Sequence, residues 1–442
     1  MLGMYLIGRR LHSRQAGYWA AILYLICPYD FFYDRMVHES SLINCFFIWI
    51  LWLTLALVDK DRPPRTFHYA LLTEVVGFGL LTMATAALFV FLPFVFYFVF
   101  WKAAPRGQLK PLSVSYLVGI LMAVFPYAAL YLFSKNYKVG GFFIPSSHYL
   151  RDKSLLDMLQ GVPMEAYGNA GTLLDYFIHY LTWPLLASGV LFLFLQFIKF
   201  NRKYFILLVY FFVPTILLLG TAGAGFPRYY VFCATPLLLW AAMFFCDAGD
   251  FLRKKFFGKT PVLIVWAPLL LLFLPAASFD FKLLTSPEDA PFPESDRLQY
   301  VQSQHSGYGI PEALNFFREA AKEKRITVLT TSNWGNPADA IHLYLEGHPN
   351  IDVHMAYWVF KRPLLTPDIE GIIFYEKFTK KIMKEVSPQT FADDVYFIMR
   401  TTPGLPRKVF LNANPNFELV QVFKKPNSSK FVEIYKLVWK RN

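Results

Sequence analysis

The chain has 442 residues, of which 55% are hydrophobic, 19% aromatic and only 17% charged, with a mean hydropathy of +0.36. Ordinary soluble domains are less apolar and more charged, so a single water-soluble globule is excluded. The formal net charge of +12 sits in short loops between apolar runs. It therefore reads as a membrane-topology signal rather than a nucleic-acid footprint.

The first residues, MLGMYLIGRRLHSR, do not form a signal peptide. Their apolar part is too short, a basic cluster follows it, and no small-residue cleavage site is present. They read as the last two turns of a transmembrane helix. Placing Arg9, Arg10 and Arg14 inside fixes the later orientations. Gly17 to Phe32 goes out, Tyr33 to His38 lies outside, and Glu39 to Val58 returns. Lys60, Arg62 and Arg65 mark an inner loop broken by Pro63-Pro64, which cannot continue a helix. His68 to Trp101 is too long for one span. An interruption at Leu81 to Thr85 predicts two short helices, the second holding Pro93.

Basic residues recur at Lys102, Arg106 and Lys110, before a span from Leu112 to Phe133. Ser134 to about Tyr176 is expected to be a long outer loop, and Phe177 to Ile198 to return. Lys199, Arg202 and Lys203 mark the next inner loop. Phe205 to Gly220 leads out to the turn TAGAGFPRYY, Tyr230 to Cys246 returns, and Arg253, Lys254, Lys255 and Lys259 are inside. Val262 to Phe279 makes the last crossing. About nine spans plus the N-terminal stub result. The domain reading is a multi-span region over 1–279 and an extracytoplasmic α/β domain over 280–442, in a plasma (inner) membrane protein. All four cysteines, Cys27, Cys45, Cys233 and Cys246, lie in or beside apolar runs, so neither a disulfide framework nor a cysteine zinc site is expected.

The tail opens with the Pro-rich acidic linker TSPEDAPFPESD. Ile310 to Lys324 has helical apolar spacing, and a helix from Asn336 to Glu346 starts at an Asn-Pro pair. Strands are predicted at Ile326 to Thr331, Ile351 to His354, Ile369 to Tyr375, Val395 to Arg400, Phe417 to Phe423 and Phe431 to Leu437. This order suggests a mainly parallel sheet. No dinucleotide fingerprint, P-loop or internal repeat is present. His342, His348 and His354 lack the spacing of a metal site, so no metal or other cofactor is expected.

The stretch with most chemistry is Pro28 to Ser41, PYDFFYDRMVHESS. Ionisable residues at membrane depth are costly and mark function by default. Glu39 is the leading candidate, although a carboxylate there also suits a helix N-terminus. Asp34 either pairs with Arg35 or takes part in the site; Asp30 reads as structural, and His38 as a surface residue beside the site. Arg228 either contacts phosphate or reaches the interface beside Tyr229. His148, with Arg151, Asp152 and Lys153, belongs to a loop that covers the site or is simply solvated.

Arg9-Arg10-Leu11 with Gly17, a helix ending in Pro28, then Arg35 and an acidic residue together resemble class C glycosyltransferases. The nearer likeness is to the branch of protein O-mannosyltransferases and the lipid A aminoarabinose transferase. Leu80-Leu81-Thr82, Phe226-Pro227-Arg228-Tyr229 and Ser306-Gly307-Tyr308-Gly309 extend the likeness along the chain. The resemblance implies transfer of a mannose-like hexose or a pentose from a polyprenyl-phosphate carrier to a protein, lipid or glycan acceptor at the outer face. It implies Glu39 as the second acidic position, with Arg228 and Arg35 on phosphate. Such proteins carry a further helix and a first outer loop with the principal catalytic Asp, so the chain is expected to be N-terminally incomplete, or else inactive. The alternatives are a lipid-linked-sugar transporter or a non-catalytic accessory membrane protein.

Overall fold

The computed structural model describes residues 1–36, 38–59, 63–100, 107–133, 155–198, 202–222, 225–257, 269–303, 306–331, 336–356, 365–366, 369–375, 382–386, 394–400 and 407–438. The chain divides into two compact units, Met1–Pro293 and Glu294–Asn442.

The first unit is helical. Helix α1 (Leu2–Leu11) is followed by α2 (Arg14–Ile26), whose start is fixed by Ser13 Oγ accepting the Ala16 N–H at 3.1 Å. The predicted continuous run from Gly17 to Phe32 is broken. Cys27 takes an extended backbone (φ −75°, ψ 118°), as a residue before proline prefers, and Pro28 opens a new helix, α3 (Pro28–Arg35), at its first position. Helix α4 (Glu39–Leu57) then carries 19 residues, about 28 Å of rise.

Among the described residues, five helical stretches are long and apolar enough to cross a membrane: Glu39–Leu57, Leu109–Pro126, Tyr167–Gln196, Lys203–Gly220 and Pro227–Lys255. Each coincides with a predicted span. They belong to α4, α8 (Leu109–Phe133), α9 (Leu155–Ile198), α10 (Arg202–Ala222) and α11 (Val231–Leu252) with the turn before it. Between α4 and α8 the predicted interruption is present. Helix α5 (Thr66–Thr82) ends at an extended Met83, and the short α6 (Ala87–Val90) and α7 (Leu92–Val99) follow. Of the predicted span at Val262 to Phe279, residues 262–268 lie outside the described residues, and the described part from residue 269 runs into α12 (Leu274–Thr285).

One expectation is overturned. The outer loop was placed from Ser134 to Tyr176, yet α9 already begins at Leu155. Low apolar content made this stretch read as loop, but its Leu, Met, Ala, Gln and Glu residues are strong helix formers. Within α9 the backbone kinks at Thr182 (φ 59°, ψ 150°), just ahead of Pro184.

Helices approach closely where a side chain is missing. A Cβ on Gly189 of α9 would stand 2.6 Å from the Leu237 carbonyl oxygen of α11, so this packing needs glycine, as at small-residue contacts between membrane helices. Cys27, Cys233 and Cys246 are buried and Cys45 is exposed.

The second unit packs α13 (Ile310–Ala320) and α14 (Ala338–Leu345) with a five-stranded sheet. Its strands are β1 (Ile326–Thr331), β2 (Ile351–Ala356), β6 (Asp394–Arg400), β7 (Phe417–Lys424) and β8 (Phe431–Leu437), in the order β2-β1-β6-β8-β7. Strands β3 (Leu365–Thr366), β4 (Ile369–Tyr375) and β5 (Ile382–Val386) form a separate antiparallel sheet. The main sheet is therefore mixed rather than mainly parallel: β1 runs parallel to β2 and β6, while β8 runs antiparallel to β6 and β7. The link between β7 and β8 is too short for a crossover, and Asn427 (φ 47°) supplies its left-handed turn residue. Helix α15 (Arg407–Ala413) anchors to β8 through Arg407, whose Nη2 and Nε lie 2.5 and 3.0 Å from the buried Glu433 carboxylate.

Two polar clusters hold this unit. Lys425 Nζ donates to Ser306 O (2.7 Å), Ser306 Oγ (2.9 Å) and Tyr308 O (3.1 Å). It thereby fixes the Ser306 to Gly309 segment, whose Gly309 (φ 86°) leaves no room for a Cβ beside Phe423 and Val432. Asp394 accepts from Lys324 and, at 2.7 Å, from Lys436. Burial alone would raise its pKa, but these two ammonium groups hold it below the usual carboxylate value.

Two outcomes follow for stability. Gly189→Val should lower the thermal midpoint of the detergent-solubilised chain, at a cost of about 1–3 kcal/mol from overpacking; an unchanged midpoint would contradict the close contact. The Asp394 contribution is present above an ordinary aspartate pKa of about 4 and is lost as pH falls through its lower folded value. Asp394→Asn should therefore flatten the acid limb of the second unit's stability profile, measured by hydrogen exchange of β6 amides.

Candidate functional site

The broken helix positions the Pro28 to Ser41 stretch. Tyr29 is fully buried, donates to the Pro227 carbonyl oxygen at 2.6 Å, and stacks on Tyr180 of α9 with ring centroids 4.5 Å apart. Phe292 closes on the same cluster, 4.9 Å from Phe32. This joins α3 to the 3-10 turn Pro227–Tyr230 that carries Arg228 and Tyr229.

A second link runs through the apolar interior. Asp30 is 1% exposed. Its Oδ1 accepts from Asn44 Nδ2 at 2.7 Å, and Asn44 Oδ1 accepts from Thr235 Oγ1 at 2.8 Å. Three elements, α3, α4 and α11, thus meet in one chain of polar atoms, and among the described residues Asp30 Oδ2 has no hydrogen-bond partner. Asp30 sits at the head of this buried polar chain and reads as structural in the sequence. Its partners were missed there; the available signal was one amide and one hydroxyl inside otherwise apolar runs.

Glu39 is the first residue of α4, and its side chain is 45% exposed. His38 caps the helix: its Nδ1 accepts the Ser40 N–H at 3.2 Å and lies 2.9 Å from Ser40 Oγ and 3.4 Å from Glu39 Oε2. Burial lowers the His38 pKa, Glu39 opposes this, and Arg228 adds to the lowering. His38 is therefore neutral at pH 7, the form that leaves Nδ1 free to accept. The sequence reading treated it as a surface residue; a half-buried cap is what the fold makes of it.

Arg228 lies over the rings of Phe226 (4.4 Å) and Tyr229 (5.1 Å), with Nη2 3.4 Å from the Tyr229 hydroxyl. It is close enough to His38 to affect its protonation. His38 and Glu39 thus sit side by side at the start of α4, and Arg228 and Tyr229 on the turn before α11. Asp34 and Arg35 are engaged elsewhere. Asp34 accepts from the Tyr24 hydroxyl at 2.9 Å, and burial raises its pKa although Tyr24 and Ser41 act to lower it. Arg35 lies over Phe31 at 5.3 Å. Among the described residues no ion pair joins Asp34 to Arg35. His148, Arg151, Asp152 and Lys153 lie outside the described residues.

Residues 1–131 match the family described as dolichyl-phosphate-mannose-protein mannosyltransferase. The match contains Asp34, Arg35, His38 and Glu39 but stops short of Arg228 and Tyr229. Among solved structures, the oligosaccharyltransferase of Archaeoglobus fulgidus, described as a complex with zinc and sulfate, aligns at 13% identity with a TM-score of 0.37. That alignment covers 78% of this chain and 48% of the archaeal one, so the chain spans about half the archaeal protein's length. No curated protein matches.

The polar chain is directly testable. Asp30→Leu should destabilise the solubilised chain by about 1–3 kcal/mol, because the buried Asn44 amide loses its acceptor. Asp30→Asn retains a carbonyl oxygen and should remain close to wild type in thermal midpoint. Equal loss in both variants would show that charge, not hydrogen-bond acceptance, is what the site uses.

Proposed function

We propose that this chain is a membrane glycosyltransferase that moves a mannose-like hexose or a pentose from a polyprenyl-phosphate carrier to a hydroxyl or amine of a protein, lipid or glycan acceptor. The reading places the reaction at the outer face of the plasma membrane, with the second unit outside the cytoplasm. The observation that carries it is the ionisable pair Glu39 and His38 at the start of α4, inside the first 131 residues, which match the mannosyltransferase family.

The chemistry requires that the bond from the anomeric carbon to the phosphate oxygen breaks while the acceptor oxygen or nitrogen attacks from the opposite side. The acceptor gives up a proton and the lipid phosphate leaves with negative charge. Glu39, exposed at the head of α4, is placed to orient the acceptor and assist removal of its proton. Arg228 stabilises the charge that develops on phosphate, with Arg35 as a second cation. The first-turn N–H groups of α4 add a further preference for an anion. Neutral His38 keeps that helix end ordered, and Tyr229 positions the Arg228 guanidinium.

In the purified full chain, Glu39→Gln should lower transfer from a polyprenyl-phosphate sugar by about 10²-fold or more. Arg228→Ala should cost a comparable 10²- to 10³-fold, mostly in turnover. The assay follows acceptor-dependent release of polyprenyl phosphate. Wild-type rates in Glu39→Gln would remove Glu39 from the mechanism, whereas no release by the full-length wild-type protein with any acceptor class would overturn the transferase reading itself.

A further inference from the structure

At the end of α4 opposite Glu39, a cavity of about 510 Å³ is lined by Leu6, Arg9, Arg10, His12, Trp52, Asp59 and Lys203. Its size falls within the range of small-molecule sites. Among the described residues that line it, Arg9, Arg10 and Lys203 face the carboxylate of Asp59. It is a built arrangement rather than a chance gathering of surface groups. Arg10 Nη2 binds Asp59 Oδ2 at 2.8 Å, with both side chains less than one-fifth exposed. Lys203 Nζ donates to the Arg10 carbonyl oxygen at 3.0 Å, drawing α10 onto the end of α1. His12 is held by Asp247 Oδ1 at 2.8 Å and lies 3.3 Å from the Tyr204 hydroxyl.

The ordinary explanation is that Arg9 and Arg10 offset the negative end of the α1 dipole and satisfy Asp59. That accounts for the pairing with Asp59 and for the helix end, but not for a cavity left open beside three basic side chains. The remaining wall is apolar. Leu6 lies one turn before the arginines, and the Trp52 ring stacks on His68 with centroids 5.3 Å apart. A tryptophan beside clustered arginine and lysine is the usual composition of a membrane interface, and basic pockets between helices there hold lipid head groups.

We infer that this cavity binds a phosphate-bearing anion, with an anionic phospholipid head group as the natural source. Arg9 and Lys203 would contact the phosphate, Arg10 would be held in place by Asp59, and Trp52 would shield the glycerol side. The site is separate from the one proposed for transfer, since the length of α4 lies between them.

The test uses the full chain in detergent, with dioctanoyl phosphatidylglycerol, dioctanoyl phosphatidylcholine and glycerol 3-phosphate as probes, read by thermal shift and native mass spectrometry. Phosphatidylglycerol should bind saturably and phosphatidylcholine should not. Each basic contact is worth about fivefold in affinity, so Arg9→Gln with Lys203→Gln should weaken phosphatidylglycerol binding by about thirtyfold, while Arg228→Ala leaves it unchanged. If the double variant does not fold, the wild-type chain supplies the same evidence: binding should fall steeply between 50 and 500 mM NaCl, about a tenfold range of salt. Weak glycerol 3-phosphate binding identifies the lipid as the source; equal binding of the two identifies a soluble phosphate ester in the same site. Indifference to head-group charge, to salt or to the double variant, or a loss confined to Arg228→Ala, would overturn the proposal.

Discussion

A carboxylate inside an apolar helical bundle is expensive unless its oxygens are used, and the membrane unit is arranged around one such group. Asp30 binds Asn44, and Asn44 binds Thr235. These contacts fix the rotation of α4 and α11 relative to α3, because sliding any of the three would strand a polar atom without water to replace its partner. The phenol of Tyr29, one residue earlier, meets the Pro227 carbonyl oxygen. The turn holding Arg228 and the helix start holding Glu39 are therefore placed by the same buried contacts, although neither residue takes part in them.

Much of this architecture was legible in the sequence because hydropathy reports on length and burial directly. The spans at Glu39 to Val58 and Tyr230 to Cys246, and the interruption near Met83, were plain for that reason. The break at Cys27 is a local steric effect of Pro28 that an apolar run conceals. The early start of α9 was missed because hydropathy cannot separate a polar helix from a loop. The antiparallel half of the main sheet came from a short link between β7 and β8, a topological constraint that strand-by-strand reading does not weigh.

The candidate site divides in the same way. Glu39 and Arg228 stand out in the sequence as charged residues next to apolar runs, whereas His38 reads there as a surface residue. The separate engagements of Asp34 with Tyr24 and of Arg35 with Phe31 were not legible, since each depends on which face of a two-turn helix a side chain occupies. Nor was the Asp30 to Thr235 link: its members are almost 200 residues apart, and only the folded bundle brings them together. Single polar residues in apolar runs hold more information than their hydropathy suggests.

The distribution of thiols has a practical consequence. Three of the four cysteines are buried, and Cys45 alone is open, on α4 itself. A membrane-permeant maleimide offered to the folded chain would meet one thiol outside the packed interior, about 9 Å along the helix axis from Glu39. The native sequence thus already carries a single attachment point for a fluorophore or spin label. Depth-dependent quenching from that point would measure how far the acidic end of α4 lies below the lipid head groups, and from which leaflet it is reached.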